Sequence, residues 1–95
     1  MIRSFADATL ENFWRNGPSG ATKKIPSSLH SALRRKLTYL DVARVLDDLR
    51  DPPGNRLEAL SGDLMGWLSI RVNDQWRLVF QWNDGTIAVK LMDYH

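Results

Sequence analysis

The chain has 95 residues and a formal net charge of +2, a size that gives one domain with a single core and leaves no room for a second. It has no cysteine, which excludes a disulfide frame and a thiolate metal site and fits a reducing compartment. No apolar run approaches the roughly 20 residues of a membrane span, and the opening Met1-Ile2-Arg3-Ser4-Phe5-Ala6-Asp7 lacks a signal-peptide core, so the expected setting is cytoplasmic, with no membrane association.

The sequence begins with a short β-like piece at 2–5, suited to joining the edge of a sheet. Residues 7–15 suit a helix: Ala8, Leu10, Phe13 and Trp14 make an apolar stripe, and Asp7 stands where a cap or dipole partner belongs. Asn16-Gly17-Pro18-Ser19-Gly20 stops it. Lys23 and Lys24 follow in a loop, and Pro26 suits the first position of a second helix. There Leu29, Ala32, Leu33, Leu37 and Leu40 recur at helical spacing, while His30, Arg34 and Arg35 project elsewhere. A third helical segment is expected at 42–49, with Val45, Leu46 and Leu49 as its apolar side. Asp51-Pro52-Pro53-Gly54-Asn55 ends it, and residues 56–62 lead on as strand or loop.

The last third reads as an antiparallel meander. Leu68, Ile70 and Val72 alternate with Trp67, Ser69, Arg71 and Asn73, the period of a strand with one buried face. Asn73-Asp74 offers a turn, after which Trp76, Leu78, Phe80 and Trp82 share one face and Arg77, Val79 and Gln81 the other. Asn83-Asp84-Gly85 is a stronger turn signal, because Gly and Asn tolerate the positive φ of hairpin turns. A third strand runs from 86 to about 92. Helices first and sheet last is an α+β order, with helices laid on one sheet face.

Charge is unevenly spread. Over positions 15–44 the bases Arg15, Lys23, Lys24, Arg34, Arg35, Lys36 and Arg44 face Asp41 alone, while the stretch 47–63 is acidic. Such a run is commonly a solvated helix face; its near lack of acids also suits contact with phosphate, which marks Lys23, Lys24, Arg34, Arg35 and Lys36 as candidate RNA-binding residues. The sequence ends on Asp93-Tyr94-His95, and Arg77 comes from the polar face of the neighbouring strand. An imidazole, a carboxylate, a phenol and a guanidinium suffice for phosphodiester cleavage without metal or other cofactor: His or Asp takes the proton of a ribose 2′-hydroxyl, and Arg stabilises charge on phosphorus. Tyr can stack on a base. From spacing alone the same residues also read as a polar tail and a solvated strand residue. One such His beside scattered carboxylates is a poor zinc set, and neither a Gly-rich phosphate loop nor a GxSxG elbow is present. The four tryptophans read as core and platform.

Taken together, Leu57-Glu58-Ala59-Leu60-Ser61-Gly62-Asp63, then Gly66-Trp67-Leu68-Ser69-Ile70-Arg71-Val72-Asn73-Asp74-Gln75-Trp76-Arg77 and the ending Asp93-Tyr94-His95 resemble the HigB toxins of bacterial toxin–antitoxin systems, in the RelE/ParE superfamily. The likeness extends to the opening Ile2-Arg3-Ser4-Phe5 and to Pro52-Pro53-Gly54-Asn55-Arg56-Leu57. It implies a small microbial-RNase-like (RelE-like) fold with two or three N-terminal helices on a C-terminal antiparallel sheet. It further implies cleavage of messenger RNA in the ribosomal A site, neutralisation by a HigA-type helix-turn-helix antitoxin, and contact with operator DNA only through the antitoxin complex. By motif, the family's catalytic roles fall on Arg77, Asp93, Tyr94 and His95. Some relatives carry His where this chain has Glu58 and Lys where it has Ser61; Glu58 is a candidate substitute base, and Ser61 leaves one cation fewer. The alternatives are a member that binds the ribosome or its antitoxin without cutting, and a ParE-like gyrase inhibitor.

Overall fold

The structure, a computed structural model, describes residues 1–93; Tyr94 and His95 lie outside the described residues. Its first helix, α1 (Ala8–Asn16), starts where Asp7 Oδ1 accepts a hydrogen bond from the Leu10 backbone N–H at 3.0 Å. The second carboxylate oxygen of Asp7 accepts from Leu91 N at 3.2 Å, so one side chain both caps the helix and ties it to the last strand. Gly17 ends the helix at φ 78°, a conformation that glycine adopts without a Cβ penalty, and donates back to Phe13 O.

The second helix is less direct than expected. Pro26 precedes a single 3₁₀ turn, Ser27–Leu29, and only then does α2 (His30–Val42) begin. Leu33, Leu37 and Leu40 are fully buried along one stripe and, with Leu10, Phe13, Leu29, Ile70, Leu78 and Phe80, form the core between helices and sheet. Truncating any one of these leucines to Ala would cost about 2–5 kcal/mol. The expected helix at 42–49 is corrected: α2 runs to Val42, Ala43 turns extended, and only a 3₁₀ turn, Leu46–Arg50, follows. The cause is Asp48, whose Oδ2 accepts from the backbone N–H of Arg44 at 2.9 Å and of Val45 at 3.3 Å. That side chain offers the backbone a local alternative to the helical ladder. Leu49 is buried as expected, but Val45 is exposed.

The open choice at 56–62 resolves as a short strand, β1 (Glu58–Ala59), followed by β2 (Leu68–Arg71), β3 (Trp76–Trp82) and β4 (Thr86–Asp93) in one antiparallel sheet of order β1-β2-β3-β4. The N-terminal piece joins β4 through isolated parallel bridges, Ile2 with Thr86 and Phe5 with Val89. Residues directly opposite each other share a face. Ala59, Leu68 and Phe80 therefore lie on the helix side with Ile70, Leu78 and Leu91. Glu58, Ser69, Val79 and Lys90 lie on the other side with Arg71, Arg77 and Met92. Among the described residues, none of this second set belongs to the core that α1 and α2 cover.

Candidate active site

Arg71 and Arg77 stand directly opposite each other on β2 and β3. Like charges at such a position destabilise a sheet, so each needs a counterweight. Arg71 Nη2 is hydrogen-bonded to Asp74 Oδ1 in the connecting turn, and Arg77 Nη1 lies 3.7 Å from Glu58 Oε1. Arg77 is 7% exposed, which corrects its reading as a solvated strand residue. Its Nε donates to Ser69 Oγ at 2.8 Å and its Nη2 to the Arg56 carbonyl at 2.7 Å. A buried guanidinium is tolerable when its fixed fork of donors is met in this way.

The Arg56 carbonyl is itself held in place by an unusual backbone. Arg56 has φ 46° and ψ 58°, a left-handed conformation uncommon for a non-glycine residue. It follows the turn Pro53–Asn55, whose last residue is fully buried. Asn55 Nδ2 donates to Leu49 O at 3.2 Å and its Oδ1 accepts from Lys36 Nζ at 2.7 Å. Lys36 thus does not stand on an RNA-facing surface, as the basic run suggested: it is 6% exposed and its ammonium is spent on Asn55. Burial, then the positive charges of Arg35 and Arg71, lower its pKa below the ordinary lysine value. Lys36 of α2 is therefore hydrogen-bonded to the residue just before the one whose carbonyl orients Arg77.

Arg56, Arg71, Asn73, Asp74 and Arg77 line an open cleft of about 250 Å³ at this end of the sheet face away from the core. Three guanidiniums and one carboxylate around such a space suit an anion of phosphate size. The sequence singled out only Arg77 of this group, with Glu58 at its border. Arg71 was findable from the symmetric placing of Arg71 and Arg77 about the Asn73-Asp74 turn, whereas nothing in the sequence marks Ser69 or the carbonyl of Arg56.

Asp93 ends β4 opposite Trp76, and Arg77 pairs with Met92 one step before it. By alternation Asp93 falls on the helix side, where its Oδ2 accepts from Gln75 Nε2 at 3.1 Å, while Arg77 falls on the other side. The expected approach of Tyr94 and His95 to Arg77 lies outside the described residues. Of the basic run, Lys23, Lys24 and Arg35 are exposed. Arg34 is exposed too, but it donates to Phe13 O at 3.1 Å and sits 4.9 Å over the Phe13 ring, joining α2 to α1. His30 packs 5.0 Å from the same ring and hydrogen-bonds the Ile25 carbonyl, a structural role. Among the described residues no group of three or more His, Asp or Glu is placed to hold a metal ion, and no helix is long and apolar enough to cross a membrane.

Comparison with known proteins agrees with this architecture. Residues 3–95 match the model of the HigB-like toxin family, described as the RelE-like toxin of type II toxin–antitoxin system HigB. The chain is 50% identical over 95 residues to a protein of Vibrio cholerae named Toxin HigB-1, covering 100% of this chain and 98% of the relative. It is 36% identical over 91 residues to an uncharacterized protein of Haemophilus influenzae, covering 96% and 88%. It is 29% identical over 96 residues to a protein of Proteus vulgaris named Endoribonuclease HigB, covering 100% of both. With a match over nearly its whole length and a sheet that carries the motif's arginine at the floor of a cationic cleft, the chain belongs to the HigB-like family of RelE-like toxins of type II toxin–antitoxin systems.

Proposed function

We propose that this protein is a ribosome-dependent messenger-RNA endoribonuclease, held in check by a HigA-type helix-turn-helix antitoxin and acting in the cytoplasm where ribosomes are. The observation that carries the proposal is the buried Arg77, fixed by Ser69 and the Arg56 carbonyl beside Arg71 in an open cationic cleft. The name of the Proteus vulgaris relative points the same way.

In this reading the scissile phosphate lies against Arg77, with Arg71 and Arg56 adding charge. The ribose 2′-oxygen loses its proton to a base and bonds to phosphorus. The bond from phosphorus to the 5′-oxygen breaks as that oxygen takes a proton from an acid, leaving a cyclic phosphate and a 5′-hydroxyl end. The family's pattern gives proton transfer to His95 and Asp93 and base stacking or orientation to Tyr94; here His95 is the group assigned to the Arg77 cleft, while Asp93, on the other side of the sheet beside Gln75, positions the end of β4. Preorganised donors aimed at developing charge are worth roughly 10²–10³ in rate each, and a positioned proton-transfer group roughly 10²–10⁴. Lys23, Lys24 and Arg35 supply the basic surface that docks on ribosomal RNA, and operator DNA is reached only through the antitoxin complex.

Primer extension on one message, with and without translation, tests the proposal. The expected result is cleavage only when the message is translated. Equal cutting of naked RNA defeats the ribosome requirement, and no cutting in either case, with growth still arrested, indicates a toxin that binds without cleaving.

A further inference from the structure

The sheet face away from the core carries a second feature, apart from the arginine cleft. Lys90 on β4 stands opposite Val79 on β3, which stands opposite Ser69 on β2. Lys90 Nζ nevertheless lies 4.5 Å from the centre of the Trp67 indole, just before β2. Lysine and indole therefore meet across two strand spacings, roughly 9–10 Å, above β3 and beside Val79. That valine is fully buried although it is not part of the core under the helices.

Packing beside one valine needs only apolar atoms. What is built here is an indole with an ammonium over its face, both partly exposed, on the side of the sheet away from the core. In water such a pair contributes only about 0.5–1 kcal/mol, so stability alone is a weak reason for it. Its position is more telling. Trp67 lies four residues along β2 from Arg71, roughly 13 Å, on the same face as Arg77. A nucleic-acid strand whose phosphate sits against Arg77 and Arg71 has its flanking nucleotides within reach of the indole and ammonium. Glu58 borders the β1 side of this path and repels phosphate, which keeps the strand over β2 to β4.

We propose that Trp67 and Lys90 form a subsite for a nucleotide flanking the cleaved bond, Trp67 stacking on its base and Lys90 meeting its phosphate. The subsite rests on the endoribonuclease reading, and it predicts a sequence-tolerant contact, since every base has a face to stack.

The test is single-turnover cleavage on programmed ribosomes, using messages with one abasic nucleotide at each position around the cleaved bond. Trp67→Leu keeps an apolar side chain beside Val79 without a stacking platform, and Trp67→Phe keeps both. One abasic position should slow the wild type by roughly tenfold. Trp67→Leu should be equally slow on the intact message and lose nothing more at that abasic position, while Trp67→Phe should regain the sensitivity. Lys90→Ala should flatten the salt dependence of binding. If no abasic position slows the wild type, or if Trp67→Leu keeps the same sensitivity, the subsite is wrong and the endoribonuclease reading stands. If the wild type cuts no message on the ribosome, that reading fails and takes the subsite with it.

Discussion

Arg77 and Ser69 are diagonal neighbours on adjacent strands, and the 2.8 Å hydrogen bond from Arg77 Nε to Ser69 Oγ fixes a guanidinium inside the sheet face rather than above it. With Nη2 on the Arg56 carbonyl, two of its donors have set directions, and the plane of the group follows from them. Lysine keeps the charge but has no planar fork to occupy both partners. Arg77→Lys is therefore expected to lower single-turnover cleavage by roughly 10²–10³, with the fold retained by circular dichroism. Cleavage within a few-fold of wild type would mean that charge alone suffices there.

Lys36 gives a prediction of the opposite kind. Lys36→Met preserves the buried stem but leaves Asn55 Oδ1 without its donor, and an unmet buried acceptor costs about 1–3 kcal/mol. The variant should melt lower and unfold at lower denaturant. Because Asn55 precedes the residue whose carbonyl orients Arg77, cleavage should fall as well, while ribosome binding at saturating protein stays unchanged. A variant that weakens ribosome binding instead would restore Lys36 to the docking surface.

Asp48 sets a dependence on acid. The backbone N–H groups of Arg44 and Val45 hold its carboxyl below the ordinary aspartate value. A carboxyl lowered in the folded state adds stability that is present above its unfolded pKa and disappears as pH falls through the lowered folded value. Asp48→Asn keeps an acceptor and loses the charge. The gap in melting temperature between wild type and Asp48→Asn should be largest near neutral pH and close below about pH 4. A gap independent of pH would assign the effect to hydrogen-bond geometry alone.

The strands and their turns were legible because period-two alternation over 67–82 allows one register, and the cap at Asp7 because an acid before an apolar stripe has one common use. The helix expected at 42–49 failed for a local reason: Val45, Leu46 and Leu49 fit a helical period, but periodicity says nothing of Asp48 folding back on Arg44 and Val45. Lys36 was misassigned because a charge run does not show which member points inward; that depends on Asn55, 19 residues away. Arg77 is named by chemistry and motif, yet its hydrogen-bond partners are not legible there, since one is the backbone carbonyl of a residue with positive φ. Asp93 was named without its face, because register, and not spacing, decides on which side of the sheet a strand's last residue falls.

Glu58 and Ser61 carry the last prediction, since they are where this chain departs from relatives with His and Lys. Glu58 Oε1 lies 3.7 Å from Arg77 Nη1 with its side chain half exposed, close enough to offset the arginine's charge and too loosely held for a well-aimed base. Glu58→Gln removes the offset and the possible base together, so the expected loss in single-turnover rate is under about tenfold, against roughly 10²–10⁴ for His95→Ala. Ser61 is exposed just beyond β1, at the end of the sheet nearer Trp67. Ser61→Lys adds a cation beside the proposed RNA path, and should raise cleavage on the ribosome and steepen its salt dependence by about 0.7 in logarithmic slope, the value for one added single-strand phosphate contact. Rates for the three variants at two salt concentrations decide the matter: a Glu58→Gln loss as large as that of His95→Ala makes Glu58 a principal catalytic residue, and an unchanged slope in Ser61→Lys moves the RNA path away from β1.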